Sequence, residues 1–226
     1  MSSVRNIILN FHGIGTPHAD VDASERPYWI DESFFRRIVD MALARPDADR
    51  VLWTFDDGNR SDLTIGARVL AEAGRRGMFF LLTGRFGHPD YLSHDDARAL
   101  AAMGMEIGLH GRDHVDWRHV PPAQLAAETV DARAMLAEVV GRPVDRVAIP
   151  FGAYNRKVIA HLQRCGFSRI YTSDGGACRP NQRISNRTSI RCDMSLDRVA
   201  AILDDRASLA RRLKRNLSTN LRRYIR

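Results

Sequence analysis

Apolar residues in this chain come in short runs set between longer amphipathic stretches. Seven runs read as strands: 6–11, 51–55, 78–82, 105–109, 147–149, 169–172 and 188–191. Helical patterns fill the spaces near 31–44, 61–75, 93–103, 122–140 and 154–165, and a last one starts at about 195 and continues to the end. Strands alternating with helices predict βαβ units and a parallel sheet. The punctuation agrees. Ser93 with Asp96 three residues on, and Pro121-Pro122 ahead of an alanine-rich run, are helix starts. Gly74, Gly77, Gly104, Gly141 and Gly166 follow helical runs, where left-handed caps belong.

In such folds the active site lies at the C-terminal ends of the strands. Four clusters fall on that edge here. His12 lies just past the first strand, Asp56-Asp57 end the second, His110 ends the fourth, and Pro150-Phe151-Gly152 follow the fifth. Two adjacent carboxylates followed by two histidines four apart, His110 and His114, can supply three metal ligands and leave one carboxylate over. A catalytic metal needs that set, together with an open position for water. Adjacent residues in an extended segment point different ways, so one aspartate can ligate while its neighbour faces the attacking water. Positions four apart share a face of a helical turn, and imidazole suits zinc and similar borderline metals. The chemistry indicated is metal-assisted hydrolysis. Alone, Asp57-Gly58 would read as a turn; the histidine pair changes that. His18, His88, His94, His119 and His161 lack such context and read as surface or turn residues.

At 226 residues the chain suits one large domain. Its net charge of +7 is concentrated at one end: the seven basic residues from Arg211 to Arg226 face no acidic ones, and 1–210 is balanced. That excludes a globally basic nucleic-acid binder and marks off 211–226 as a basic amphipathic helix after a catalytic region of 1–210. Leu209, Leu213, Leu217 and Leu221 recur every four residues. This stripe either packs on the body or meets an anionic membrane surface. Three cysteines without close spacing fit reduced thiols. The start of the chain does not read as a signal peptide, and no apolar run approaches membrane-spanning length. The expected location is the cytoplasm, with the tail as a peripheral contact at the inner membrane surface.

Thr54-Phe55-Asp56-Asp57-Gly58, His110-x-x-x-His114 and Pro150-Phe151-Gly152-x-Tyr154-Asn155 together resemble the first three motifs of the polysaccharide deacetylases, carbohydrate esterase family 4, over roughly 6–192. The resemblance implies an α/β fold, a distorted, incomplete (β/α) barrel of about seven parallel strands. It implies removal of acetyl groups from a carbohydrate or glycolipid with one divalent metal ion, zinc first among them. By motif, Asp56 matches the catalytic base, and Asp57, His110 and His114 match the metal ligands. The backbone N–H of Phe151 matches the oxyanion donor.

Two departures stand out. Many members have an arginine two residues before the motif-three proline, where this chain has Ala148; Arg187 and Arg191 are candidates to hold the base instead. Many members also take their catalytic acid from a late histidine, and none follows His161 here. His12, in Asn10-Phe11-His12-Gly13, resembles a histidine of biofilm-type members with rearranged motif order and is the candidate acid. Trp117 and Tyr154, with Tyr28-Trp29, are candidate sugar-stacking aromatics. The reading is a metal-dependent carbohydrate deacetylase of surface polysaccharide or oligosaccharide biosynthesis. Its rivals are an inactive carbohydrate-binding relative and a hydrolase of non-sugar amides.

Overall fold

A computed structural model describes residues 5–205, together with position 219. In chain order its strands are β1 Ile7–Phe11, β2 Gly13–Ile14, β3 Trp29–Ile30, β4 Val51–Phe55, β5 Gly77–Leu81, β6 Glu106–Leu109, β7 Arg146–Ala148, β8 Arg169–Thr172, β9 Ile184–Asn186 and β10 Thr188–Ser189. Eight of them form one sheet in the order β10-β1-β4-β5-β6-β7-β8-β9, and every pairing is parallel. The edges are occupied by β9 and β10, which are separated in sequence by Arg187 alone. A single strand, interrupted at one residue, therefore pairs with β8 and then with β1. That brings the sheet to a nearly closed (β/α) barrel, the expected fold. The last strand differs from its expected span of 188–191: it begins earlier, because its first half belongs to β8.

The helices cover the outside: α1 Glu32–Leu43, α2 Arg68–Glu72, α3 His94–Ala102, α4 Pro122–Ala126, α5 Ala132–Val140, α6 Arg156–Arg164 and α7 Leu196–Leu203. Each predicted helix up to 165 is present, some a few residues shorter. Asp62–Ala67 and Ala127–Asp131 are π-helical turns leading into α2 and α5. Such turns are rare and favour functional sites. The tail at 211–226, with its leucine stripe and the domain boundary before it, lies outside the described residues. No helix among the described residues is long and apolar enough to cross a membrane.

Strand side chains alternate between two environments, as the pleat requires. Ile7, Leu9 and Phe11 join the main core with Phe35, Ile38, Phe55 and Phe79. Ile8, Met78, Phe80, Ala148, Tyr171 and Cys178 form a separate small cluster inside the barrel. Above that plug, towards the C-terminal ends of the strands, the interior turns polar: Asn10, Thr54, Asp56 and Arg187 are all buried there. The Arg187 guanidinium sits over the rings of Phe80 and Tyr171, 5.1 and 5.9 Å from their centroids. The apolar plug is the floor on which the polar layer rests.

Candidate active site

Asp56 follows β4 directly and is nearly inaccessible. Arg187 grips it with two bonds, Nη1 to Oδ1 at 2.6 Å and Nη2 to Oδ2 at 2.8 Å. Asn10 Nδ2 donates to Oδ2 at 2.9 Å. The Asn10 amide is itself fixed, since its Oδ1 accepts from Arg187 and from the Thr54 hydroxyl, both at 2.8 Å. Burial alone would push the Asp56 carboxyl up; Arg187 and then His110 outweigh it and hold it far below the usual carboxylate range. Arg187 thus takes the place that Ala148 leaves empty. Arg191, the other candidate, points elsewhere: it pairs with Asp193 and lies over the Tyr28 ring. The role of Asn10 was not singled out in the sequence, because an asparagine within a strand carries no motif signal.

Asp57 turns away through a left-handed backbone, φ 78°. Its Oδ1 is buried and accepts no hydrogen bond. It lies 3.4 Å from His110 Nε2 and 3.5 Å from His114 Nε2. The other nitrogen of each ring is engaged. His110 Nδ1 meets the Ala148 carbonyl at 3.0 Å, and His114 Nδ1 meets Glu25 Oε1 at 3.1 Å. Both imidazoles therefore aim Nε2 at one point beside a carboxylate oxygen with no partner. Burial pushes His110 down to about 4, against the pull of Asp56 and Asp57, so its ring is neutral and has a lone pair at pH 7. On His114 the burial effect is outweighed by Asp57 and Glu25, which raise it. Ligand atoms around a tetrahedral ion with ordinary zinc bond lengths stand about 3.3 Å apart. The orphaned oxygen and the two spacings fit a divalent metal.

The segment between the two histidines is not the helical turn that their spacing suggests. It is a loop, with φ at 101° for Gly111 and 54° for His114. The fully buried carboxylate of Glu128, in the second π-helical turn, holds that loop. It accepts from the backbone N–H groups of Arg112 and Asp113 at 2.9 and 3.1 Å and from the Trp117 indole at 3.3 Å. Gly111 is required here: a Cβ would come within 2.7 Å of Glu128 Oε2. Glu25 and Glu128 escape a sequence reading because each acts across the fold on groups 11 or more residues away.

The remaining predicted residues divide. His12 Nε2 stands 4.0 Å from Asp56 Oδ2, with its ring against Tyr28. Phe151 adopts φ 57° and is 58% exposed, and its ring lies 4.2 Å from the His114 ring. Both line a cleft of about 270 Å³ with Glu25, Tyr28, Asp56, His110, His114 and Ser173. Trp117 and Tyr154 do not serve as sugar platforms. Each is 1% exposed, with Trp117 bonded to Glu128 and the Tyr154 hydroxyl donating to Asp174 at 2.6 Å. Trp29 is likewise buried, and only Tyr28 of that pair reaches the cleft. Among the other histidines, His161 is half-buried and bonds Thr129 at 2.8 Å, and His18 is largely enclosed.

The barrel carries its carboxylate–imidazole cluster on the C-terminal edge, where active sites of such folds lie. The chain belongs to the polysaccharide deacetylase family, whose model matches residues 44–170, more than half its length. It is 25% identical over 188 residues to YxkH of Bacillus subtilis (strain 168), a protein named for polysaccharide deacetylation, covering 77% of this chain and 67% of the relative. Its fold is similar to that of the Streptococcus pyogenes deacetylase PplD, with TM-score 0.75, 18% identity and 89% and 99% of the two chains covered. IcaB from Ammonifex degensii gives TM-score 0.73, 23% identity and coverage of 88% and 97%. At these identities the two structures establish the fold.

Proposed function

We propose that this chain is a metal-dependent hydrolase that removes acetyl groups, N-acetyl first among them, from a carbohydrate or glycolipid during surface polysaccharide or oligosaccharide assembly. One observation carries the metal: Asp57 Oδ1 is buried without a hydrogen bond between two imidazoles whose other nitrogens are occupied. Asp57, His110 and His114 would hold one ion, zinc by donor chemistry. Bound there, the ion would supply an acidified water and polarise the acetyl carbonyl. Asp56 remains ionised and accepts the proton of the attacking water. The Phe151 N–H donates to the developing oxyanion, a contribution worth about 3 kcal/mol in comparable sites. His12, across the cleft, donates a proton to the leaving nitrogen. The cleft is at or below the small end of ligand pockets, about 300–1,000 Å³, which suits one acetylated unit with the rest of the substrate outside.

Acetate release from a panel of acetylated sugar oligomers, with and without chelator, tests the reading; release that ignores the chelator would sink it. Asp56→Asn is expected to keep the metal and lose about 10²–10⁴ in kcat, since an amide cannot accept the proton. A variant that loses metal but turns over normally once saturated with it would show that the roles of Asp56 and Asp57 are exchanged. His12→Ala is expected to lose a similar factor, shrinking for substrates with good leaving groups that need little protonation. Equal loss on both substrate types would assign His12 a structural role.

The cytoplasmic location, which rests on three cysteines without close spacing, and the membrane contact of the tail, which rests on the charge count, belong to the same proposal. The full chain is expected to co-sediment with anionic vesicles and to leave them as salt rises. A chain ending at Ala210 is expected to stay in solution, folded by circular dichroism. If that shorter chain precipitates instead, the leucines pack on the barrel.

A further inference from the structure

A second group of metal-ligating side chains lies outside the catalytic cleft. His18 and Asp20 come from the loop between β2 and β3, and Asp90 from the segment after β5. A ligand atom from each lies within 4.8 Å of the other two. His18 Nδ1 is 3.7 Å from Asp90 Oδ2, and His88 Nε2 is 3.4 Å from Asp20 Oδ2. The Asp20 and Asp90 side chains are exposed, 65% and 43%, but the His18 side chain is only 11% so.

His18 is the anomaly. Both of its ring nitrogens are sealed from solvent, and neither makes a hydrogen bond. A neutral imidazole has one N–H and one lone pair, and burying both without partners carries a desolvation penalty. The ring cannot swing out to water cheaply. It is wedged edge-on between Trp29 and Tyr91, with centroids at 5.6 and 5.1 Å, and Arg85 Nη1 donates to the Tyr91 hydroxyl at 2.9 Å. An ion pair with Asp90 does not resolve this, because 3.7 Å lies beyond hydrogen-bond range. An imidazole and two carboxylates converging from two segments are a donor set for a cation of charge +2, whose charge the carboxylates balance.

We propose that His18, Asp20 and Asp90 bind a second divalent ion of the zinc-like, imidazole-accepting class, with His88 orienting the Asp20 carboxylate. The proposal goes beyond the deacetylase reading and does not depend on it. The ion is a staple and takes no part in the reaction. The loop holding His18 and Asp20 also carries Glu25, which holds His114, and Tyr28, which packs on His12. Asp90 belongs to a segment already fastened to the Asp56-Asp57 turn: Arg60 N donates to Asp90 O at 3.1 Å, and Leu92 N to Gly58 O at 2.9 Å. A metal between them ties the cleft-lining loop to the turn that bears both catalytic carboxylates.

The test uses the full-length protein stripped by chelator and titrated with Zn²⁺ alone, read by calorimetry and by elemental analysis after desalting. Wild type is expected to bind two ions per chain. His18→Phe, which preserves the ring between Trp29 and Tyr91, and Asp90→Asn are each expected to weaken one of the two steps at least ~100-fold, beyond the usual loss for an outer-shell change. The His110→Ala/His114→Ala double variant is expected to lose the other step and keep this one. Amide exchange over 16–28 should slow when Zn²⁺ is added to that double variant, and should not change for Asp90→Asn. Retention of the catalytic-site ion by His18→Phe certifies its fold. One ion per wild-type chain that the double variant loses entirely, or His18→Phe and Asp90→Asn both retaining two, would overturn the proposal. Failure of the deacetylase reading would appear separately, as absent acetate release with both ions bound.

Discussion

Replacing His110 or His114 with Ala is expected to abolish tight metal binding at the catalytic site and reduce acetate release to near background. The expected loss is several kcal/mol of transition-state stabilisation, roughly a thousandfold or more in rate. The reason is geometric. Each Nε2 stands about one ligand–ligand spacing from the same Asp57 oxygen, and each ring is locked by a contact on its far side. Removing one imidazole leaves only two donors, the other imidazole and the buried Asp57 carboxylate, too few for a catalytic zinc site. The locks predict a graded series: Glu25→Gln should weaken the metal by about 10–100-fold, the range for groups that orient ligands. Metal content after desalting is the measurement, and a double variant that binds as many ions per chain as wild type, with the same affinities, would refute the site.

Arg187→Met is expected to cost about 3–5 kcal/mol of stability, because it leaves the Asp56 charge buried without its main partner. Met matches the stem and can pack on Phe80 and Tyr171, so a cavity is not the chief cause. The sign with pH follows from the depressed Asp56 carboxyl. Such a group stabilises the fold above its unfolded value of about 3.9, and that contribution fades as pH falls below it. The gap between wild type and variant in urea midpoint should therefore narrow below about pH 4. Turnover should fall too, with the acid limb of the pH–rate profile moving upward as burial raises Asp56 unopposed. A wild-type midpoint across the pH range would show that the pair contributes nothing. Asn10→Ala should have a smaller effect of the same sign, since it removes one of three bonds to the carboxylate.

Much of this was legible in the chain itself. Apolar runs of strand length alternating with helical patterns specify a parallel sheet, since period and length are local properties of sequence, and the motif resemblance adds that the sheet curls into a barrel. That topology places strand ends on one edge, so Asp56, Asp57, His110 and Phe151 could be brought together without coordinates. The spacing of His110 and His114, together with the carboxylates, also singles them out as candidate ligands, although the segment between them is a loop and not the helical turn that spacing suggests.

Tertiary structure decided what joins residues far apart. Arg187 meets Asp56 across 131 positions because β9 and β10 close the barrel on either side of it. No spacing rule ranks it above Arg191, four residues on, which stays at the surface. Glu25 and Glu128 are ordinary charged residues until a loop and a π-helical turn carry them to His114 and to the histidine loop. Trp117 and Tyr154 read as stacking platforms by their place beside motifs, yet packing takes both into the interior. Sequence fixes which chemistry lies on each strand end; the barrel's closure selects which side chain neutralises it, because burying a charge forces a partner to be found wherever the fold supplies one.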